Sequence, residues 1–126
     1  MLRSAYKPML LLMWLALITS ALGYWRAWDR LPARMAVHFD KNFEPNGYSS
    51  REGAVEIGLG VMVVMVLLFT IAGLIVHAMK PAAAWPLLLF FYVVVGILWY
   101  GNYSVIRFNL NRMVPHPPPV NITIPQ

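Results

Sequence analysis

The run IGLGVMVVMVLLFTIAGLIVHAM, Ile57–Met79, is 23 residues long and holds His77 as its one titratable group. A helix rises 1.5 Å per residue, and about 20 apolar residues cross a hydrocarbon core of roughly 30 Å. Backbone N–H and C=O groups find no water there, so one run satisfies them internally only as a helix. The same reading extends outward in both directions. Upstream, Pro8–Trp25 is 18 residues without a charge; downstream, Pro81–Ile106 is 26. As a helix the last would measure about 39 Å, so it must tilt or enter the headgroups. The sequence therefore predicts an all-α membrane protein, one domain over 1–126 with three transmembrane helices near 8–27, 53–79 and 82–108. A loop, 28–50, and a Pro-rich tail, 113–126, lie outside the bilayer.

The totals agree. Hydrophobic residues make up 60% of the 126-residue chain and charged residues 12%, about half the charge of an ordinary soluble domain. There is no Cys, which excludes disulfides and thiolate catalysis together. The net charge of +5 is spread along the chain rather than gathered into a basic, aromatic-interleaved run, so nucleic acid is not an expected partner. Contact with anionic headgroups accounts for such an excess more simply.

The ends of the windows carry their own signals. Tyr24, Trp25 and Trp28 close the first, and Trp99, Tyr100 and Tyr103 fall near the end of the third. Three crossings put those two ends on one side, as an aromatic belt. Tyr6 and Trp85 mark the other face. Ser49 with Glu52 has the spacing of a capping box for the second helix. Pro81 and Pro86 stand in or before the first turn of the third, where a missing N–H costs least. Arg3 and Lys7 before the first window, with Ala21-Leu22-Gly23 near its end, also fit a cleavable signal peptide; retention as a span is the expectation. Orientation stays open. Three basic residues (Arg3, Lys7, Lys80) stand on one side and seven on the other, which puts the loop in the cytoplasm, whereas the tight pair before the first helix argues the reverse.

Within the loop, Met35-Ala36-Val37-His38-Phe39 reads as a strand followed by a turn-rich stretch, Asn42–Gly47. Val120-Asn121-Ile122-Thr123-Ile124 in the tail alternates apolar and polar as a half-buried strand does. A two-stranded sheet of tail and loop, capping the bundle, is the expectation, with Pro115–Pro119 an extended spacer.

Leu31-Pro32, then Val37-His38-Phe39-Asp40, then Glu44-Pro45-Asn46-Gly47-Tyr48-Ser49-Ser50-Arg51 before a helix resembles a bacterial membrane-domain family of unknown function. Its pattern is roughly LP…HF(D/N)xxGxP(D/N)xxxS(K/R). The same domain forms the N-terminal half of Sdp-type toxin-immunity proteins, which resist a secreted peptide toxin and relay its presence to a regulator. The resemblance covers residues 25 to about 60. It implies a bacterial inner (cytoplasmic) membrane and a loop that binds partners through Leu31, Pro32, His38, Phe39, Asp40, Pro45, Asn46, Gly47, Tyr48 and Arg51. Phe43 stands where the family usually has Gly, so the turn there should differ. The residues after the third window do not read as the further helices of an immunity protein.

Other candidate chemistry is sparse. His38 and Asp40 share a face of the proposed strand, and only Glu44 and His116 supplement them toward the three or four ligands zinc requires; hydrogen bonding within the loop is the plainer role, and no metal is expected. His77 is a candidate axial ligand for haem or chlorophyll, set against a polar residue snorkelling to headgroups beside Lys80. Glu52 and Glu56 share a face at the start of the second helix, where the macrodipole favours acids. Asn102, Asn109 and Asn111 with Arg107 and Arg112 make the end of the third helix polar, either as a docking surface or as a helix leaving the membrane. Ala16 with Ser20, Thr19 with Gly23 and Ala54 with Gly58 allow close helix packing. No Ser/His/Asp set, HExxH motif or phosphate loop occurs. The expected function is accordingly non-catalytic: an accessory subunit bound to other membrane-protein subunits and lipids, an energy-converting complex being one candidate host. The alternative is an Sdp-type immunity or sensing protein whose loop binds a peptide or envelope signal.

Overall fold

The computed structural model describes residues 2–112. Its elements run α1 (Leu2–Leu11), α2 (Trp14–Ala27), a 3-10 turn (Trp28–Arg30), β1 (Arg34–Phe39), β2 (Pro45–Ser50), α3 (Arg51–Met79) and α4 (Pro81–Arg112). Three stretches are long and apolar enough to cross a membrane: Ser4–Arg30, Arg51–Met79 and Pro81–Arg112. They contain the three charge-free windows. The described residues thus form a membrane protein with three spans and a two-stranded antiparallel sheet.

The first span starts earlier than the charge pattern implies and is not continuous. Helix begins at Leu2, and Pro8 sits inside it. The bonding tightens near residue 12, where Met13 N–H reaches Leu10 O at 3.4 Å and Leu15 N–H reaches Leu12 O at 3.0 Å. Met9 C=O thereby loses its regular i+4 donor. The Tyr92 hydroxyl of α4 donates to it instead, so the interruption is satisfied inside the chain, as lipid requires.

One residue, Lys80, joins α3 to α4, and Pro81 takes the first helical position, where its missing N–H was unsatisfied anyway. Pro86 falls later than expected, inside α4. At 32 residues, α4 is about 48 Å long, so its last turns stand clear of the hydrocarbon and hold the sheet. The cap of α3 also shifts by one residue. Ser50, not Ser49, is the N-cap, its hydroxyl accepting from Gly53 N–H at 3.0 Å. Gly53 stands three residues on, so the reciprocal carboxylate bond of a capping box is absent.

The sheet is a hairpin within the loop. β1 has the predicted position, but its partner is β2, built from part of the stretch read as a turn. The tail strand and the Pro-rich spacer lie outside the described residues. The register pairs Arg34 with Ser50, Ala36 with Tyr48, His38 with Gly47 and Phe39 with Pro45, with irregularities on either side of His38. Val37 and Asn46 are the extra residues. Met35 and Ala36 are both buried, and Val37 packs against the cluster beneath the hairpin.

Two apolar clusters fill the bundle. Tyr6, Leu10, Met13, Met62, Val66, Ala84, Leu88, Phe91 and Val95 pack at the end far from the hairpin. Tyr24, Ala27, Leu31, Met35 and Ala54 pack beneath the hairpin. Side-chain hydrogen bonds cross between helices as well: Trp14 Nε1–H to Thr70 Oγ1 at 3.1 Å, and Trp99 Nε1–H to Thr19 Oγ1 at 3.0 Å. Between the clusters Tyr24 Oη–H donates to Asn102 Oδ1 at 2.9 Å, and Asn102 Nδ2–H reaches Gly58 O at 3.3 Å. Residues from α2, α3 and α4 meet at that point.

Gly58 has no room for a side chain. An added Cβ would lie 2.4 Å from Asn102 Oδ1 and 3.0 Å from the Tyr24 hydroxyl, whereas one at Gly60 would meet nothing within 4 Å. Gly58→Ala should therefore part the Tyr24–Asn102 pair and cost about 1–3 kcal/mol, the penalty of an unsatisfied buried polar group. Gly60→Ala should be neutral or slightly stabilising. Thermal denaturation of both variants in one detergent checks the contrast.

Candidate functional site

The residues that carried the loop motif come together, and most are occupied in building the hairpin. Leu31 is in the core, 4% exposed, and Pro32 is half buried. Nδ1 of His38 meets Asn46 Oδ1 across the strands. Gly47 lies against His38, where an added Cβ would come 2.8 Å from the His38 Cβ. Phe39 packs edge-on against Phe108 of α4, centroids 4.9 Å apart. Arg51 lays its guanidinium over the Trp28 ring at 4.3 Å and donates to Trp28 O at 3.1 Å, so it ties the start of α3 to the end of the first span. Tyr48 is exposed and approached by two guanidinium groups, Arg34 at 4.7 Å and Arg112 at 5.5 Å from its ring centroid.

The hairpin loop explains Asp40. Asp40 N–H bonds Glu44 O at 2.9 Å and Phe43 N–H bonds Asp40 O at 3.0 Å, leaving residues 41–43 as a three-residue loop. Asp40 Oδ1 accepts from Asn42 N–H at 2.8 Å and Glu44 N–H at 3.0 Å. One oxygen of that carboxylate is thus bound to backbone and shapes the loop. Phe43 has φ 60°, the left-handed conformation that the last residue of such a loop adopts and that Gly fills without strain. Phe43 thus takes a conformation suited to Gly, at a cost of about 1–2 kcal/mol.

The asparagines correct another expectation. Asn102 and Asn109 do not mark a helix emerging into water; they are 6% and 0% exposed. Asn109 Oδ1 accepts from Ala36 N–H at 2.8 Å, and its Nδ2 donates to Ala36 O at 2.9 Å and Val105 O at 2.8 Å. One carboxamide thus pairs with the outer edge of β1 as a third strand would. Asn111 is exposed, and Arg107 donates to the Tyr103 hydroxyl at 2.7 Å. Glu52 and Glu56 are exposed, with Glu52 3.7 Å from Arg51. Ala54 and Gly58 face the bundle, as small residues at that spacing should.

Neither ligand candidate gains support from its surroundings. Among the described residues no three His, Cys, Asp or Glu side chains converge on a metal position; His116 lies outside them. His77 stacks on Tyr6, rings parallel and centroids 4.4 Å apart, and Trp85 meets Tyr6 edge-on. Its Nε2 is enclosed by protein without a hydrogen-bond partner. A tetrapyrrole iron or magnesium needs an open imidazole nitrogen, so these residues do not fit one at Nε2 without repacking.

What the motif hid is a crevice below the hairpin. A cavity of about 360 Å³ lies between α3 and α4, walled by Ala54, Ile57, Gly58, Val61, Ile97 and Gly101, with the Tyr24–Asn102 pair at its base and Val37 above. A second of about 430 Å³ continues under the hairpin loop, lined by Phe39, Asp40, Phe43, Tyr100, Ser104 and Phe108. Both share Val37, Gly101 and Val105. Ile57, Val61, Ile97, Tyr100 and Gly101 are exposed, so the crevice opens sideways toward lipid. Its only sequence signal was an Asn and a Gly side by side, 101 and 102, in an apolar window.

Asp40→Ala removes the acceptor for two loop N–H groups. Exchange of the Asn42 and Glu44 amides should accelerate about tenfold, matching roughly 1–1.5 kcal/mol. Asp40→Asn, which keeps an acceptor oxygen, should restore most of the protection, measured by hydrogen–deuterium exchange.

Residues 14–59, from the start of α2 through the hairpin into α3, match a family described as a domain of unknown function (DUF1648). No curated protein and no solved structure matches the chain.

Proposed function

We propose that this protein is a non-catalytic accessory subunit of a larger complex in a bacterial inner membrane, and that the crevice between α3 and α4 seats a transmembrane helix of that complex. The crevice carries the reading. It is apolar, faces the bilayer, and is bordered at Gly101 by backbone with no side chain over it, since a Cβ there would meet nothing within 4 Å. Close backbone approach at such positions is how helices associate where lipid removes the hydrophobic drive. Only 22% of the most apolar window in each span is buried inside the chain, so the helices offer ample surface for a neighbour. Several polar groups are engaged by the fold: Asn102, Asn109, Asp40 and Arg51 all bond within the chain.

The second reading is an Sdp-type sensing or immunity protein. The motif residues favour it, because they build the hairpin that roofs the crevice, and an apolar peptide arriving at the membrane surface would meet that roof first. Both readings make this a binding protein; they differ in whether the occupant is a permanent subunit or a transient signal.

Native purification in mild detergent tests them. Under the first reading the chain co-purifies with one larger membrane subunit in fixed stoichiometry. Val61→Trp, which fills the crevice, should abolish that association, while Leu89→Trp on an exposed face should leave it intact. A monomeric chain, or an assembly indifferent to Val61→Trp, overturns the accessory reading. A monomer that also protects cells from a secreted peptide toxin establishes the second.

A further inference from the structure

We infer that the hairpin loop is an interfacial membrane anchor, with Phe43 seated among the lipids at the boundary between headgroups and acyl chains. The inference goes beyond the partner reading, since its occupant is the bilayer itself and it holds whichever protein the crevice receives. Three observations converge on the loop. Phe43 is 83% exposed, a large aromatic side chain at the tip of the hairpin with no protein covering it. It is also left-handed, at φ 60°, where Asn or Gly sits with less strain. In water such a residue is disfavoured twice, by its backbone and by its surface.

The third observation is depth. The sheet does not stand away from the bundle; it lies along α4, with Ala36 bonded to Asn109 and Phe39 against Phe108. Its loop shares a cavity wall with Tyr100, eight residues back toward the bilayer, or about 12 Å along the helix. Counted from Pro81, where α4 begins, Tyr100 is 19 residues on, about 29 Å. That is the thickness of the hydrocarbon core. Tyr100 therefore stands at the far boundary, flanked by Trp99 and Tyr103, which stack on each other as part of the aromatic belt. Phe43 reaches the same level from the hairpin. Lys41 beside it is exposed, so its ammonium can extend toward lipid phosphates while its stem stays in the interface. Two acids flank the loop: Asp40 has one carboxylate oxygen bonded to two backbone N–H groups, and Glu44 is exposed with its carboxylate free to turn toward water.

The chain has no cysteine, so single-cysteine variants report depth directly. Phe43→Cys and Asn46→Cys carry a spin label in nanodiscs of phosphatidylcholine and phosphatidylglycerol. Collision rates with oxygen, which concentrates in lipid, are compared with those of a water-soluble nickel chelate. At position 43 the ratio should favour oxygen at least threefold more than at position 46, and should approach that of a label at Tyr103→Cys. Because the label replaces the ring itself, amide exchange in Phe43→Asn supplies a second readout. Asn adopts the left-handed conformation readily, so a loop standing in water would exchange more slowly or unchanged. A loop that has lost its anchor exchanges faster, by about tenfold across 41–44. Equal chelate access at positions 43 and 46, or exchange in Phe43→Asn that is slowed or unchanged, overturns the inference.

Discussion

A polar side chain buried in a protein interior costs free energy unless it finds partners there, and the Asn102 carboxamide, at the membrane boundary of α4, is where that demand shapes this bundle. Its oxygen takes the Tyr24 hydroxyl and its nitrogen reaches the Gly58 carbonyl, so one side chain references α2 and α3 to α4. Asn109 lies seven residues further, two helical turns along the same face, and there secures the sheet. Ala84, Leu88, Phe91 and Val95 continue that face toward the other end at spacings of three and four. A single stripe of α4 thus holds the apolar core, the junction and the cap in register. Individual interhelical hydrogen bonds in membranes are worth only about 0.6 kcal/mol on average. Their contribution here is to select one rotation and one height for each helix among many that apolar packing alone would tolerate.

The same demand accounts for the irregular places. The tightened turn after Pro8 frees the Met9 carbonyl, and Tyr92 supplies the missing donor. The outer edge of β1, which would otherwise invite another strand, is closed at Ala36 by the Asn109 amide. Arg51 is held by the Trp28 ring and carbonyl rather than left to attract a ligand. The protein consequently shows a mostly self-satisfied polar framework inside an apolar exterior. Two features outside that framework, the crevice and the exposed Phe43, point outward to other molecules.

How much of this was written in the sequence depends on the range over which each feature is determined. The spans were legible because transfer into lipid acts on composition over some twenty consecutive residues. β1 was legible because Met35–Phe39 are strand-forming in themselves. β2 was not: Pro45, Asn46, Gly47, Ser49 and Ser50 have weak strand preference, and they pair because β1 and the Ser50 cap hold them there. With Arg107 and Arg112 as neighbours, the asparagines read as either a docking surface or the exit from the membrane, and neither reading places them in the core. Their seven-residue separation was the better clue, since it places both on one helical face. The crevice was beyond reach, because it exists only where α3, α4 and the hairpin diverge. Most of the loop residues that carry the motif build the hairpin, and nothing local distinguishes a side chain that builds a hairpin from one that presents it.

The bond between Ala36 and Asn109 joins positions 73 residues apart, and this sets an order on biosynthesis. The hairpin leaves the ribosome between the first and second spans, long before its anchor exists. Lys80 alone separates α3 from α4, and only when the last turns of α4 have been made does the open edge of β1 acquire its partner. Until then the nascent chain carries an unprotected strand edge beside the membrane. Closure of the β1 edge at Ala36 therefore waits for the last turns of α4.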